Sequence, residues 1–105
     1  MKRNETEKLR SYSNEEELRE ITEEIGDRIS FKGYSREQVV DLVSELMTID
    51  LLSLEYATRE DILNVLCDSV LYYDIRNEIN FGMLSSIKDY VEPDLKEYIE
   101  EIIGE

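Results

Sequence analysis

Histidine and tryptophan are absent from this chain, cysteine and proline occur once each, and glycine occurs four times in 105 residues. Without histidine, the side chain that titrates near neutrality and the commonest metal ligand are both missing. A Gly-rich phosphate loop is missing as well, so the usual acid–base, nucleophile and metal signatures have little to build on. The lone Cys67 excludes an internal disulfide and argues against a secreted, bridge-dependent domain. Positive charge is also scarce: 12 Lys and Arg stand against 26 Asp and Glu, for a net charge of −14. Bare nucleic acid and anionic membrane repel such a chain, and a partner found through electrostatics is basic. No apolar run approaches the length of a membrane span, and Met1-Lys2-Arg3-Asn4-Glu5 lacks the apolar core of a signal peptide, so we expect a cytoplasmic protein.

What is present is enough apolar mass to fold. Leu, Ile, Val and Phe make 31 of the 105 residues, which supports one domain with a real core and no need of metal or disulfide. The densest stretch runs from Thr58 to Tyr73, where Ile62, Leu63, Val65, Leu66, Cys67, Val70 and Leu71 place apolar groups around most of a helix. A helix apolar on more than one face is central. Thr58 with Asp61 reads as a variant capping box at its start.

The rest is ordered around that helix. Residues 1–12 are polar and locally basic, with only Leu9 and Tyr12 able to dock, and read as a flexible N-terminal arm. Residues 13–105 read as a single helical domain. Ser13 with Glu16 forms a capping box before a helix from about Asn14 to Ser30, whose apolar stripe is Leu18, Ile21, Ile25 and Ile29. Ser35 with Gln38 repeats the box before a helix from Arg36 to about Met47, and Tyr34 with Val39 supplies a hydrophobic staple. Residues 48–57 are either a distorted continuation or a buried connector. Met83, Leu84, Ile87, Tyr90 and Val91 restore helical spacing before Pro93, which opens a last helix with the stripe Leu95, Tyr98, Ile99, Ile102 and Ile103. The fold class is all-α, an irregular bundle of four to five helices. The three caps, Ser13, Ser35 and Thr58, lie 22 and 23 residues apart. Two good copies and a loose third fit recurrent helix-start chemistry better than a true repeat.

Acidity is concentrated on the flanks. Residues 11–30 carry −5 and residues 77–105 carry −6, while the apolar segments between them carry less. Glu16, Glu20, Glu23 and Asp27 gather on one narrow helical face, where like charges at i and i+4 each cost about 0.2–0.5 kcal/mol. These four, together with Asp94, Glu97 and Glu101 of the last helix, are the candidate partner-binding carboxylates, with one flank expected to engage at a time. Glu20 with Glu23 or Glu24, and Glu97 with Glu100 or Glu101, have spacings found in helical metal sites, but such sites normally include His. We therefore expect no catalytic residues, no metal and no cofactor, and read Cys67 as a small core hydrophobe.

Tyr34, Ser35, Glu37, Val39, Leu42, Val43 and Glu45, followed by Thr58, Asp61, Leu63, Val65 and Leu66, resemble the first two helices of the immunity proteins that neutralise nuclease colicins. The pair Tyr72-Tyr73 is similar to a tyrosine pair those proteins use at their toxin interface. This chain differs in having no proline after the pair, no Gly-containing loop before it and an additional N-terminal helix. The resemblance implies a small acidic helical inhibitor with Tyr72 and Tyr73 among its contacts. The expected function is accordingly a protein inhibitor of the phage anti-defence or toxin-immunity type, monomeric or dimeric, that occupies a basic surface on a nuclease or other nucleic-acid-handling protein. The alternative is a helical adaptor or regulatory subunit that dimerises or docks through Leu51, Leu52, Leu54 and Tyr56.

Overall fold

Helix-start chemistry explains most boundaries in the computed structural model, which describes residues 4–104. Asn4 accepts from the Glu7 N–H at 2.9 Å and opens α1 (Glu5–Ser11). Asn14 accepts from the Glu17 N–H at 2.8 Å and opens α2 (Glu15–Ser30). Ser35 opens α3 (Arg36–Leu46) with a complete capping box: its hydroxyl accepts from the Gln38 N–H at 3.1 Å, and its own N–H donates to Gln38 Oε1 at 2.8 Å. Then come α4 (Tyr56–Tyr72), α5 (Gly82–Ile87) and α6 (Pro93–Ile103). The last ends at Gly104, whose φ of 83° suits glycine. Short 3₁₀ turns at Leu51–Ser53, Arg76–Glu78 and Lys88–Tyr90 join the longer elements. The described residues thus form six α-helices and no strand, one helix more than the upper expectation of five. None of these helices is long and apolar enough to cross a membrane.

The additional helix is α1, where the sequence reading expects an arm. Leu9 is only 5% exposed, and Lys8–Glu24, Arg10–Glu45 and Arg28–Glu5 pairs at 3.1, 2.7 and 2.8 Å surround it. Exposed pairs contribute about 0–1 kcal/mol each, so the buried leucine is the main anchor. Residues 1–3 of the expected arm lie outside the described residues.

Two caps also move. Asn14, not Ser13, caps α2, and the return half of the box is a Ser13 N–H donated to Glu17 Oε2 at 3.2 Å. α4 begins two residues before Thr58, which is fully buried inside the first turn. Its capping role passes to another helix: the Glu15 carboxylate accepts from the Glu55 N–H at 2.7 Å. Of the three evenly spaced residues, only Ser35 caps a helix, which removes the basis for a repeat.

Residues 48–55 are a largely exposed connector with Ile49 and Leu51 buried, and Arg59 holds its backbone in place. The Arg59 side chain donates to the Leu51 carbonyl at 2.9 Å and the Leu54 carbonyl at 2.7 Å, and pairs with Glu92 at 2.8 Å. Backbone oxygens that a continued helix would have satisfied accept from one guanidinium instead, with the Leu54 N–H also reaching Leu51 at 3.2 Å.

The main packing is α2 on α4 and α4 on α6. Glu15 meets Glu55, Arg19 meets Asp61 at 3.3 Å, and a Cβ on Gly26 would lie 3.3 Å from Val65 Cγ2. On the other side Tyr56 meets Asp94, Arg59 meets Glu92, and Arg76 reaches the Ile102 carbonyl. Residue numbers rise together in the first set, and between α4 and α6 the groups run from Glu60 beside Asp94 to Cys67 beside Glu101, so α2, α4 and α6 lie parallel. The stripes Leu18-Ile21-Ile25-Ile29 and Leu95-Ile99-Ile102 are buried against Ile62, Leu63 and Leu66, as their spacing predicts. α3 and α5 carry the chain back between parallel neighbours, and the whole measures 42 × 30 × 20 Å, two helix layers thick.

Candidate functional site

The middle helix is not covered all round. Glu60, Asp61, Asn64, Asp68 and Leu71 fall within about 100° of its circumference at 100° per residue, and this sector faces outward between α2 and α6. Leu71, expected in the apolar wrap, is 59% exposed, while Val70 is half-buried. On one side the sector forms a groove with α2, about 310 Å³ in volume, lined by Glu23, Asp27, Asp61, Asn64 and Asp68. On the other it forms a groove with α6, about 320 Å³, lined by Glu60, Cys67, Asp94, Glu97, Tyr98 and Glu101. Small residues permit the first: Thr22 and Gly26 let α2 approach α4 closely enough for its carboxylates to flank those of α4.

The two acidic flanks therefore border the same helix and join into one face. Of the expected carboxylates, Glu23 and Asp27 line the first groove and Asp94, Glu97 and Glu101 the second. Glu20 is exposed on α2, and Glu16 lies at its N-terminal end in a hollow with Glu15, Arg19, Glu55 and Thr58. Sequence reasoning missed Glu60, Asp61 and Asp68, which join the flanks. Their i, i+1, i+8 spacing marks one polar strip in an otherwise apolar helix. The tyrosine pair is divided: Tyr72 is exposed, whereas Tyr73 is half-buried and donates its hydroxyl to the Tyr34 carbonyl at 3.0 Å. Leu51 is buried and Leu54 half-buried, which leaves only Leu52 and Tyr56 exposed among the four residues considered for docking.

Positive charge is committed elsewhere. Arg36 donates to the Asp74 carbonyl at 2.9 and 2.7 Å beyond the end of α4, and Arg76 donates to the Ile102 and Glu101 carbonyls at 2.9 and 3.0 Å at the end of α6. Both meet the negative pole of a helix. Arg28 pairs with Glu5 and lies 5.1 Å over the Tyr34 ring, and Lys96 pairs with Asp89. Among the ion pairs of the described residues, only that of Arg19 reaches the acidic face, through Asp61 at 3.3 Å. Glu23, Asp27, Glu60, Asp68, Glu97 and Glu101 have no ion pair among the described residues.

Burial raises the Asp68 pKa above the ordinary carboxylate value. It also raises that of the Cys67 thiol, with Glu101 and Asp68 adding to the effect, which keeps the sulfur protonated and unreactive. At the rim, Thr58 Oγ1 forms no well-aligned hydrogen bond. It nevertheless lies close enough to the Glu15 carboxylate to lower that group's pKa, with the Glu55 N–H as the next cause. Tyr56 donates its hydroxyl to Asp94. No group of three or more His, Cys, Asp or Glu among the described residues is arranged to hold a metal ion. The chemistry this face offers is electrostatic: closely set carboxylates on a fixed scaffold, with Arg19 the one counter-charge paired to them among the described residues. Comparison with protein-family models, curated proteins and solved structures finds no match for the chain.

Proposed function

We propose that this chain is a cytoplasmic protein inhibitor, of the phage anti-defence or toxin-immunity type, that covers a basic surface on a nuclease or other nucleic-acid-handling protein. The observation that carries this reading is the joined face of α2, α4 and α6, on which six carboxylates stand without an ion pair among the described residues. Their spacing supports it: at 1.5 Å per residue, Glu23 and Asp27 lie about 6 Å apart along α2, and Asp61 and Asp68 about 10 Å apart along α4. A basic groove built to hold phosphates meets a comparable density of negative charge here, on a surface too acidic to bind nucleic acid itself. The chain acts by occupying that groove and performs no chemistry on it.

The test is affinity capture at low salt with the parent and with a variant carrying Glu23→Gln, Asp27→Asn, Glu60→Gln, Asp68→Asn, Glu97→Gln and Glu101→Gln. The parent is expected to retain a basic protein whose nuclease or nucleic-acid-binding activity it blocks. The variant should associate about ten-fold or more slowly, with the gap closing as salt rises. Equal retention by parent and variant, or a parent that binds DNA directly, overturns the reading.

A further inference from the structure

The two grooves differ at their C-terminal ends. The α4/α6 groove runs toward Arg76, whose guanidinium is bonded to the end of α6. At the α2/α4 end, the strip Glu23-Asp27 of α2 leads to Ser30 and then Phe31, while Asp61-Asn64-Asp68 of α4 leads one turn on to Leu71. Phe31 is 85% exposed and Leu71 is 59% exposed. The two helices are parallel, and the Tyr73 hydroxyl bond to the Tyr34 carbonyl holds their ends at the same pole of the molecule. A large apolar side chain thus closes each acidic strip.

We propose that the α2/α4 groove receives a basic amphipathic helix of the partner protein. Its Lys and Arg side chains lie along Glu23, Asp27 and Asp68, and its apolar residues cover Phe31 and Leu71. This deepens the inhibitor reading and rests on it. Charge complementarity selects the occupant: a second copy of this chain would bring net negative charge to an already negative groove, whereas a basic helix supplies the counter-charge that half-buried Asp68 lacks. Length agrees as well. From Asp61 to Leu71 the groove runs about 15 Å, close to three turns of a partner helix. The acidic strip sets on-rate and orientation, and the two apolar residues hold the helix in register.

The probes are three peptides of equal length. One is an amphipathic Lys/Leu helix with leucines at i, i+3, i+4 and i+7, one is the same peptide with serine for leucine, and one is polylysine. Binding is read by fluorescence anisotropy at low and high salt, and the contact surface by backbone amide shifts. The Lys/Leu helix is expected to bind the parent about ten-fold or more tightly than the other two, with shifts confined to residues 20–31 and 60–72. The Phe31→Ser/Leu71→Ser variant, altered only at exposed positions, should retain parental melting and polylysine binding but lose the preference for leucine. If the preference survives in that variant, or the shifts map to residues 94–103, the helix-docking proposal is wrong while polylysine binding leaves the electrostatic reading intact. If no basic peptide binds, both fall. A parent dimer that the double substitution dissociates in sedimentation also overturns the proposal, since a second copy then covers the patch.

Discussion

Replacing Arg59 by methionine removes a cation while keeping most of an unbranched stem, and it isolates what holds the 48–55 connector in place. Four groups lose a donor. The Leu51 carbonyl keeps the Leu54 N–H at 3.2 Å, so it loses one of two donors, at about 0.5–1.5 kcal/mol. Leu54 is half-buried and bonded at 2.7 Å, and its carbonyl loses a similar or slightly smaller amount. The Leu52 contact at 3.4 Å is long and its residue exposed, so it contributes little. Glu92 has a 43% exposed side chain, and water takes over most of its pairing, which limits that loss to about 0–1 kcal/mol. Together these place Arg59→Met at about 2–4 kcal/mol, a large share of a small domain's stability. Arg59→Lys, with a single ammonium unable to span both leucine carbonyls, should lose roughly half as much. Urea unfolding followed by far-UV circular dichroism measures both. A loss below about 1 kcal/mol for the methionine variant, at unchanged urea dependence, refutes the account, because the connector would then be held by Leu51 burial alone.

Other expected outcomes follow from single residues. Lys32 adopts a φ of 53° at the position after the α2 cap where glycine is favoured, and the Lys32 and Gly33 amides close the Schellman pair to Ile29 and Arg28, so Lys32→Gly should raise stability by about 1 kcal/mol in thermal melts. The Glu15 pKa is held below its ordinary 4.5, so its contribution is fully present above that value and is lost as pH falls through the lowered one; Glu15→Gln should therefore weaken the domain near neutrality yet narrow the gap to the parent below about pH 4 in denaturation series. Cys67, buried and with a raised pKa, should react with a thiol reagent only after unfolding, and rapid native labelling contradicts its placement under the α4/α6 groove.

The apolar stripes of α2 and α6, the Ser35 capping box and the Pro93–Gly104 bounds of the last helix were legible because each depends on residues within one or two turns of one another. What was not legible depends on neighbours far along the chain. Nothing local says that Glu15 will cap α4 across 40 residues, or that Arg59 will turn an apolar run into a connector. The acidic face shows the same division. Periodicity identified Glu23 and Asp27 as one polar side and Glu97 and Glu101 as another, but a helical wheel does not say which helix lies between them. Glu60, Asp61 and Asp68 passed as interruptions in an apolar run until α4 took its place in the middle. Leu9 was underestimated because one leucine in a polar dozen makes no stripe, although a single side chain buried between two helices suffices to seat a short third.

The parallel arrangement of α2, α4 and α6 has a consequence for how the chain reaches this state. In an up-and-down bundle each helix meets its neighbour across a short turn, and such local hairpins form within microseconds to milliseconds. Here the contacts that join α2 to α4 close loops of 40 and 42 residues, and those joining α4 to α6 close loops of 33 and 38. Each closure spends chain entropy before any burial is returned. Refolding should therefore be slow for a helical protein of this size, with α2 meeting only the short α1 until α4 has been synthesised. A chain severed in the connector at Asp50 leaves two pieces that each lack half of the α2/α4 groove, and their recombination would assemble the core and the acidic face in a single bimolecular step.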